Sequence, residues 1–530
     1  MIAKHLLLIR RLVQTLSVFI LVFIIWNTRY PLSGFINPEF YFLIDPFAMF
    51  ITAVAERVFL PGLIYSALLL VITFAIGRAF CGWICPLGAL LDFLSWSQQS
   101  VMKLFRKKTM EHDPLSLRHI KYAILAGVFI FALFGIQLAW FLDPITIFVR
   151  TFSFNVHPFI TGVIDGGFMR LLKITDYPIW LESMYNTLRE GFLSLSTPKF
   201  FHTGIILVVL AVIMMLSLVK RRFWCRYLCP LGATLALTAK GTFFQRDAGG
   251  CKKNCGVCMN LCRMNAIRSD NSYIREECIL CLDCVVLCPN DKTSFFFKKL
   301  WGSEQHTGGQ SKHPGSEQNI WVRANPVFSR AQFILMLHGL ILTSLGATAP
   351  RHTRNKPQRP GTESNLRPPG ALPEEEFVQR CIRCGNCMKV CPTNVLQPSS
   401  IGKGLGGTWS PVLDTRRGYC EYQCNLCGKV CPTDAIRELT IKHKQQFKIG
   451  LGVFNKKICL PYAKGENCIV CEEHCPVPDK AIKIRTSMVR GKLIKLPYVD
   501  TDLCIGCAIC ELKCPTAPDK GIVVIKVRDA

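Results

Sequence analysis

The chain has 530 residues, half of them hydrophobic and only 19% charged, which excludes a disordered chain and an ordinary soluble domain. Its 28 cysteines in so long a chain exclude a small disulfide-stapled secreted domain and point to metal or cluster ligation. The net charge of +27 suits an anionic membrane surface, and negatively charged thiolate clusters would offset part of it, so the basic excess does not call for nucleic acid.

Four apolar runs, at about 8–26, 59–76, 120–142 and 203–219, predict spanning helices, since a bilayer core of ~30 Å takes roughly 20 helical residues. The first run lacks a small-residue cleavage site and reads as an anchor. Lys4, Arg10 and Arg11 precede run one; Lys103, Arg106, Lys107, Lys108 and Arg118 separate runs two and three; Lys220, Arg221 and Arg222 follow run four. By the positive-inside rule these segments face the cytoplasm, and 28–56 and 143–200 face outside.

The bundle, residues 1–240, reads as an internal repeat. GRAFCGWICPLGALL (77–91) matches RRFWCRYLCPLGATL (221–235), and FLIDPFAMF (42–50) echoes FLDPITIF (141–148). Each half carries Asp-Pro near the outer face and Cys-x3-Cys-Pro at the inner end of a spanning helix. The pairs Cys81, Cys85 and Cys225, Cys229 place two thiols on one helical face each. Brought together, they could hold a seventh cluster or another metal, act as redox thiols, or be structural. Trp83, Trp224 and Tyr227 beside them read as membrane-interface anchors.

The other 24 cysteines form six runs. Three follow C-x2-C-x2-C-x3-C, two have x3 in the first gap, and one has x8. This is the bacterial ferredoxin pattern, in which three close thiolates hold one [4Fe–4S] cube and the fourth reaches the neighbouring cube. Paired runs give crossed sets. In 241–297, Cys251, Cys255, Cys258 and Cys288 hold one cube, and Cys278, Cys281, Cys284 and Cys262 the next. In 373–530 the sets are Cys381, Cys384, Cys387, Cys431; Cys420, Cys424, Cys427, Cys391; Cys459, Cys468, Cys471, Cys514; and Cys504, Cys507, Cys510, Cys475. Proline follows the last cysteine in five runs; at Cys262 the next residue is Arg263. Zinc ribbons need two separated knuckles and fit these runs poorly.

Residues 298–331 and 351–372 read as linkers around a fifth spanning segment at 332–350, which contains His338. The preceding FSRAQFIL is similar to a twin-arginine export signal, with Ala331 in place of the second arginine. The expected fold is thus an α-helical membrane bundle of four spans plus a fifth, with α+β two-cluster ferredoxin modules, one after the bundle and two in tandem at the C-terminus.

On these motifs, residues 1–295 resemble the NapH proteins of periplasmic nitrate reductase systems: four spans, two Cys-x3-Cys-Pro-Leu-Gly motifs and a following two-cluster ferredoxin. Residues 325–530 resemble NapG, down to the C-x8-C run at Cys459. NosR regulators and cytochrome-oxidase assembly ferredoxins share the duplicated Cys-x3-Cys-Pro. A NapH–NapG fusion implies a multi-pass protein of the bacterial inner membrane with a periplasmic C-terminal ferredoxin domain. It implies oxidation of a lipid quinol such as menaquinol, with electrons passed to a periplasmic cytochrome or terminal reductase, within a membrane complex. Asp45 and Asp143 are candidate proton acceptors from the quinol, or else helix caps followed by Pro at the first helical position. Two rival functions are a transmembrane electron conduit from a cytoplasmic donor and a redox assembly factor for a metalloenzyme, acting through Cys81, Cys85, Cys225 and Cys229.

Overall fold

The computed structural model describes residues 2–32, 37–104, 115–176, 178–191, 193, 198–201, 203–248, 251, 255–268, 270–289, 292–297, 365–400 and 407–526. The expected linker 298–331, the fifth segment 332–350 with His338, the FSRAQFIL motif and the first part of the 351–372 linker lie outside the described residues.

Helix α1 (Ile2–Asn27) realises the first apolar run. The chain then turns back into the bundle instead of staying outside. Helix α2 (Phe40–Leu43) brings the Tyr41 hydroxyl to the Ser17 carbonyl at 3.0 Å, midway along α1. Asp45 starts α3 (Pro46–Glu56), and Pro61 and Gly62 precede α4 (Leu63–Ile76). Gly77, at φ +107°, ends α4 in a conformation that a side chain would strain. Cys81 lies on the short α5 (Ala79–Trp83), and Cys85 immediately precedes α6 (Pro86–Leu104).

The second half repeats the plan. Helix α7 (His119–Leu133) breaks near Gly135, then α8 (Ala139–Leu142) leads to Asp143, which starts α9 (Pro144–Thr151). A π-helical turn, Phe152–Val156, joins α9 to α10 (His157–Ile174), and α11 (Ile179–Gly191) folds back against it. Helix α12 (Gly204–Val219) leads to a second π-helical turn, Trp224–Leu228, and α13 (Pro230–Ala239).

Two stretches are long and apolar enough to cross a membrane, His5–Asn27 and the continuous Pro144–Ile174. The other three expected spans form helices of 14, 15 and 16 residues. At 1.5 Å per residue these reach about 21–24 Å, short of a ~30 Å core. Two of the four expected spans, 59–76 and 120–142, form helices shorter than the apolar runs that predict them, and 143–200, expected to lie outside, begins with a 31-residue helical stretch. Leu12, Phe19 and Phe23 of α1, Leu68 and Val71 of α4, and Val208 of α12 are exposed, an apolar belt of the kind that marks contact with lipid or protein. Trp224 and Tyr227 are not interface anchors: both are buried in the bundle. Trp83 donates to the Leu280 carbonyl at 2.9 Å.

The first ferredoxin unit closes on β1 (Phe244–Asp247) paired antiparallel with β2 (Ser294–Phe297) and sits against one end of the bundle. Arg10 of α1 pairs with Asp283 at 3.1 Å and donates to the Cys281 carbonyl at 2.7 Å. Lys121 and Arg78 hold Glu277 at 2.6 and 3.3 Å. Arg263, the residue standing where the other runs have proline, bridges Asp92 of α6 and Asp283 of its own unit at 2.9 and 2.5 Å. Its carbonyl accepts from Arg226 at 2.7 Å. Arg263 therefore fastens the ferredoxin to the bundle.

The C-terminal unit carries β3 (Leu396–Pro398), β4 (Pro411–Leu413), β5 (Leu451–Phe454), β6 (Ile482–Val489), β7 (Lys492–Val499) and β8 (Ile522–Ile525), paired antiparallel as β3 with β4, β5 with β8 and β6 with β7. It sits on the opposite end of the bundle. Lys389 donates to the Ile25, Trp26 and Thr28 carbonyls, capping the end of α1. Arg380 pairs with Glu56 at the end of α3. Asn394 and Gln397 donate to the Lys199 carbonyl at 2.9 and 3.1 Å. The contacts of the two units on α1, at Arg10 and Ile25, are fifteen residues apart, or about 22 Å along the helix.

Candidate functional site

In the three strict runs the residues on either side of the second cysteine take positive φ: Leu280 and Leu282, Arg383 and Gly385, Ala508 and Gly506. This left-handed step turns successive amides toward the thiols, forming a concave nest for negative charge. Amides two residues on donate to sulfur, Leu280 to Cys278, Arg383 to Cys381 and Ile509 to Cys507.

The cysteine runs surround four cavities, each lined by four cysteines. Cys278, Cys281 and Cys284 meet Cys262 around about 410 Å³ of empty space. Cys381, Cys384 and Cys387 meet Cys431 around about 330 Å³. Cys420, Cys424 and Cys427 meet Cys391 around about 380 Å³, and Cys459, Cys468 and Cys471 meet Cys514 around about 330 Å³. Each takes three thiols from one run and one from its neighbour. Cys475, Cys504, Cys507 and Cys510 are electrostatic neighbours of one another, as are Cys251 and Cys258.

All 28 cysteines are free, and among the described residues no three His, Cys, Asp or Glu groups converge closely enough for a single metal ion. Thiols spaced around a common space suit a cube, whose four ligands bind four different irons. Burial pushes the Cys471 thiol up to about 12 and Cys459 up to about 11. Ligation needs thiolates, so iron displaces a proton from each.

The cavities follow an order. The Cys381 loop lies against the bundle, where Gly385 leaves no room for a Cβ beside Phe154. Arg383 stacks on Trp140 of α8 at 4.0 Å, and Trp409 packs edge-on to Trp140 at 5.4 Å. The amide of Cys420 donates to the Cys507 carbonyl at 2.8 Å, joining the second and third centres. The Cys459 cavity lies beside β7, through Pro497.

Inside the bundle the repeat brings its paired motifs together. Cys81, Cys85, Cys225 and Cys229 are mutual electrostatic neighbours. They are not on unbroken spanning helices as expected: Cys225 lies in a π-helical turn, and Cys229 is the N-cap of α13, with its sulfur accepting from Gly232 at 3.2 Å. Arg78 faces Cys81 and Cys229, and Arg222 faces Cys225 and Cys85. Arg78 is fully buried, and its Nε and Nη2 have no partner among the described residues. The sequence signal was present, since both arginines stand three residues before the first cysteine of their motif.

Asp45 and Asp143 are fully buried in the bundle. Each is an N-cap with Pro at the next position. Asp45 accepts from Phe47 and Ala48 at 2.9 and 3.2 Å, and Asp143 from Thr146 at 2.6 Å. The two carboxyls are electrostatic neighbours, one from each half of the repeat.

Paired nests, cysteine-lined cavities and their crossed linings define a multi-cluster ferredoxin-type protein. Residues 58–109 and 201–249 match a 4Fe-4S binding domain, 380–435 a 4Fe-4S dicluster domain and 497–518 a 4Fe-4S binding domain, while 249–298 match NosR. The methylamine utilization ferredoxin-type protein MauM of Paracoccus denitrificans is 32% identical over 35% of this chain and 79% of its own length. The ferredoxin-type protein NapG of Escherichia coli is 33% identical over 28% of this chain and 65% of its own length. The regulatory protein NosR of Pseudomonas aeruginosa is 29% identical over 39% of this chain but only 23% of its own length. The chain belongs to the MauM family of ferredoxin-type proteins, and the matches support the resemblance to a NapG- and NapH-like fusion. No solved structure matches it.

Proposed function

We propose that the chain oxidises a lipid quinol within the bundle and passes the electrons singly through [4Fe–4S] clusters to a redox partner outside the cytoplasmic membrane, a periplasmic cytochrome or terminal reductase. The observation that carries this is the seating of two ferredoxin units at opposite ends of one helical bundle, with two neighbouring carboxyls buried in that bundle. The six crossed cysteine sets are the ligands of six clusters. The Cys381 cluster receives electrons from the bundle, and the Cys459 cluster delivers them.

Cys81, Cys85, Cys225 and Cys229 hold a seventh cluster. Two buried arginines beside four thiols suit a centre of net negative charge better than neutral thiols, because an unpaired guanidinium N–H in a protein interior is costly. The same placement favours a second reading, an electron conduit from a cytoplasmic donor: Gly82, next to Cys81, lies directly against the Ile279 carbonyl of the Cys278 loop.

The anaerobically purified protein, given a menaquinol analogue, is expected to lose cluster absorbance. Asp45→Asn and Asp143→Asn are expected to slow that loss about 100-fold or more. Asn caps a helix nearly as well as Asp, so the fold is retained. Bleaching by a cytoplasmic ferredoxin or flavodoxin but not by quinol would favour the conduit; no bleaching by quinol sinks the dehydrogenase reading.

A further inference from the structure

One face of the helix that begins at Asp143 is polar throughout its buried length. Asp143, Thr146, Arg150, Ser153 and His157 follow one another at intervals of three, four, three and four, the spacing that stacks residues on one helical face. All five are at most 1% exposed. Each has a polar atom without a partner among the described residues: Asp143 Oδ1, Thr146 Oγ1, Arg150 Nε and Nη1, Ser153 Oγ, and both ring nitrogens of His157. Gln137 Oε1 and Asn155 Nδ2 are further such atoms in the same part of the chain. A buried polar atom left unpaired costs about 1–3 kcal/mol, so a row of them on one face calls for internal water. The π-helical turn at Phe152–Val156 falls within the row, the kind of local widening that collects at functional positions.

The row has two defined ends. At one, the Asp143 carboxyl lies beside that of Asp45. At the other, His157 packs edge-on to Trp26 at 4.6 Å, beside Lys389 and Arg29, where the C-terminal unit meets the bundle. Between them Arg150 lies under Trp409 at 4.5 Å and Trp140 at 5.6 Å.

We propose that this face holds a file of water molecules that carries protons from the carboxyl pair to the rim of the bundle beneath the C-terminal unit. The proposal rests on the quinol reading. A quinol that becomes a quinone gives up two electrons and two protons. The electrons leave one at a time through the clusters; the protons pass to the carboxyl pair and from there along the hydroxyls and water to the rim.

The test is Thr146→Val with Ser153→Ala, a pair that removes two hydroxyls without touching the carboxyls or any cysteine. With iron content and thermal unfolding matching the unsubstituted protein, quinol-driven bleaching is expected to slow about tenfold or more and to gain a larger solvent deuterium effect. An unchanged rate and an unchanged isotope effect in a protein that does oxidise quinol overturn the proposal. If the unsubstituted protein fails to oxidise quinol, the dehydrogenase reading falls, and the file is judged by an experimental structure that resolves water. Ordered water along Thr146, Arg150 and Ser153 upholds it; a dry face with these groups paired to protein overturns it.

Discussion

Arg78 and Arg222 hold equivalent places in the two halves, each aimed at one thiol of its own motif and one of the other. Gly88 and Gly232 are equivalent too: a Cβ on Gly232 would come within 3.0 Å of the Arg78 guanidinium, and one on Gly88 within 3.5 Å of that of Arg222. If the quartet binds a cluster, Arg78→Gln is expected to lower iron by about four atoms per chain, with Arg78→Lys largely retaining it. Iron analysis with electron paramagnetic resonance checks this; unchanged iron returns the quartet to redox thiols. Glu277 keeps its bond to Lys121 in the variant, so the joint to the first ferredoxin survives. At this scale the sequence was legible in cysteine spacing and opaque in charge. Arg10, Arg118 and Arg222 count toward a positive-inside argument, yet each is buried and bonded to Asp283, the Asn265 carbonyl and Asp92 respectively. Charge counting has no term for the partner, and here the partner is a folded unit elsewhere in the chain.

At the scale of elements, the joint between bundle and C-terminal unit depends on helix ends. Lys389 satisfies carbonyls that α1 leaves unpaired, and its charge complements the negative end of the helix dipole. Arg380 meets Glu56 at the last residue of α3. Glu56→Gln combined with Lys389→Met is expected to leave all clusters loaded but to loosen the joint by roughly 3 kcal/mol. Stopped-flow spectroscopy would then show quinol reducing the C-terminal clusters more slowly, without loss of iron. The stretch Pro144–Ile174 shows why helices were harder to read than cysteine runs. Asp143, Arg150 and His157 interrupt its hydropathy, so it read as an outside segment, although its polar residues keep helical spacing and are buried. Two of the short helices erred the other way: the apolar runs extended across Gly62 and Gly135, where the backbone turned.

For the whole molecule, the first ferredoxin docks at one end of the bundle and the C-terminal unit at the other. Protease added to intact spheroplasts is therefore expected to degrade the C-terminal unit and spare the first ferredoxin; the opposite pattern would reverse the proposed direction of electron flow. The paired ferredoxin runs were plain in the sequence because ligand spacing is local. The seating of the two units was not, because it depends on contacts between residues more than 250 positions apart, such as Arg10 with Asp283 and Lys389 with Ile25.

The repeat carries one more consequence. The carboxyl pair takes one member from each half, Asp45 and Asp143, and the thiol quartet takes two from each. The bundle thus consists of two halves on one plan, and each contributes to both clusters of residues. Only the second half gained the long polar-faced helix, and only the second half is followed directly by a ferredoxin. On the proposed reading the work is divided unequally: the second half alone supplies the proton exit, while both halves share the thiol quartet.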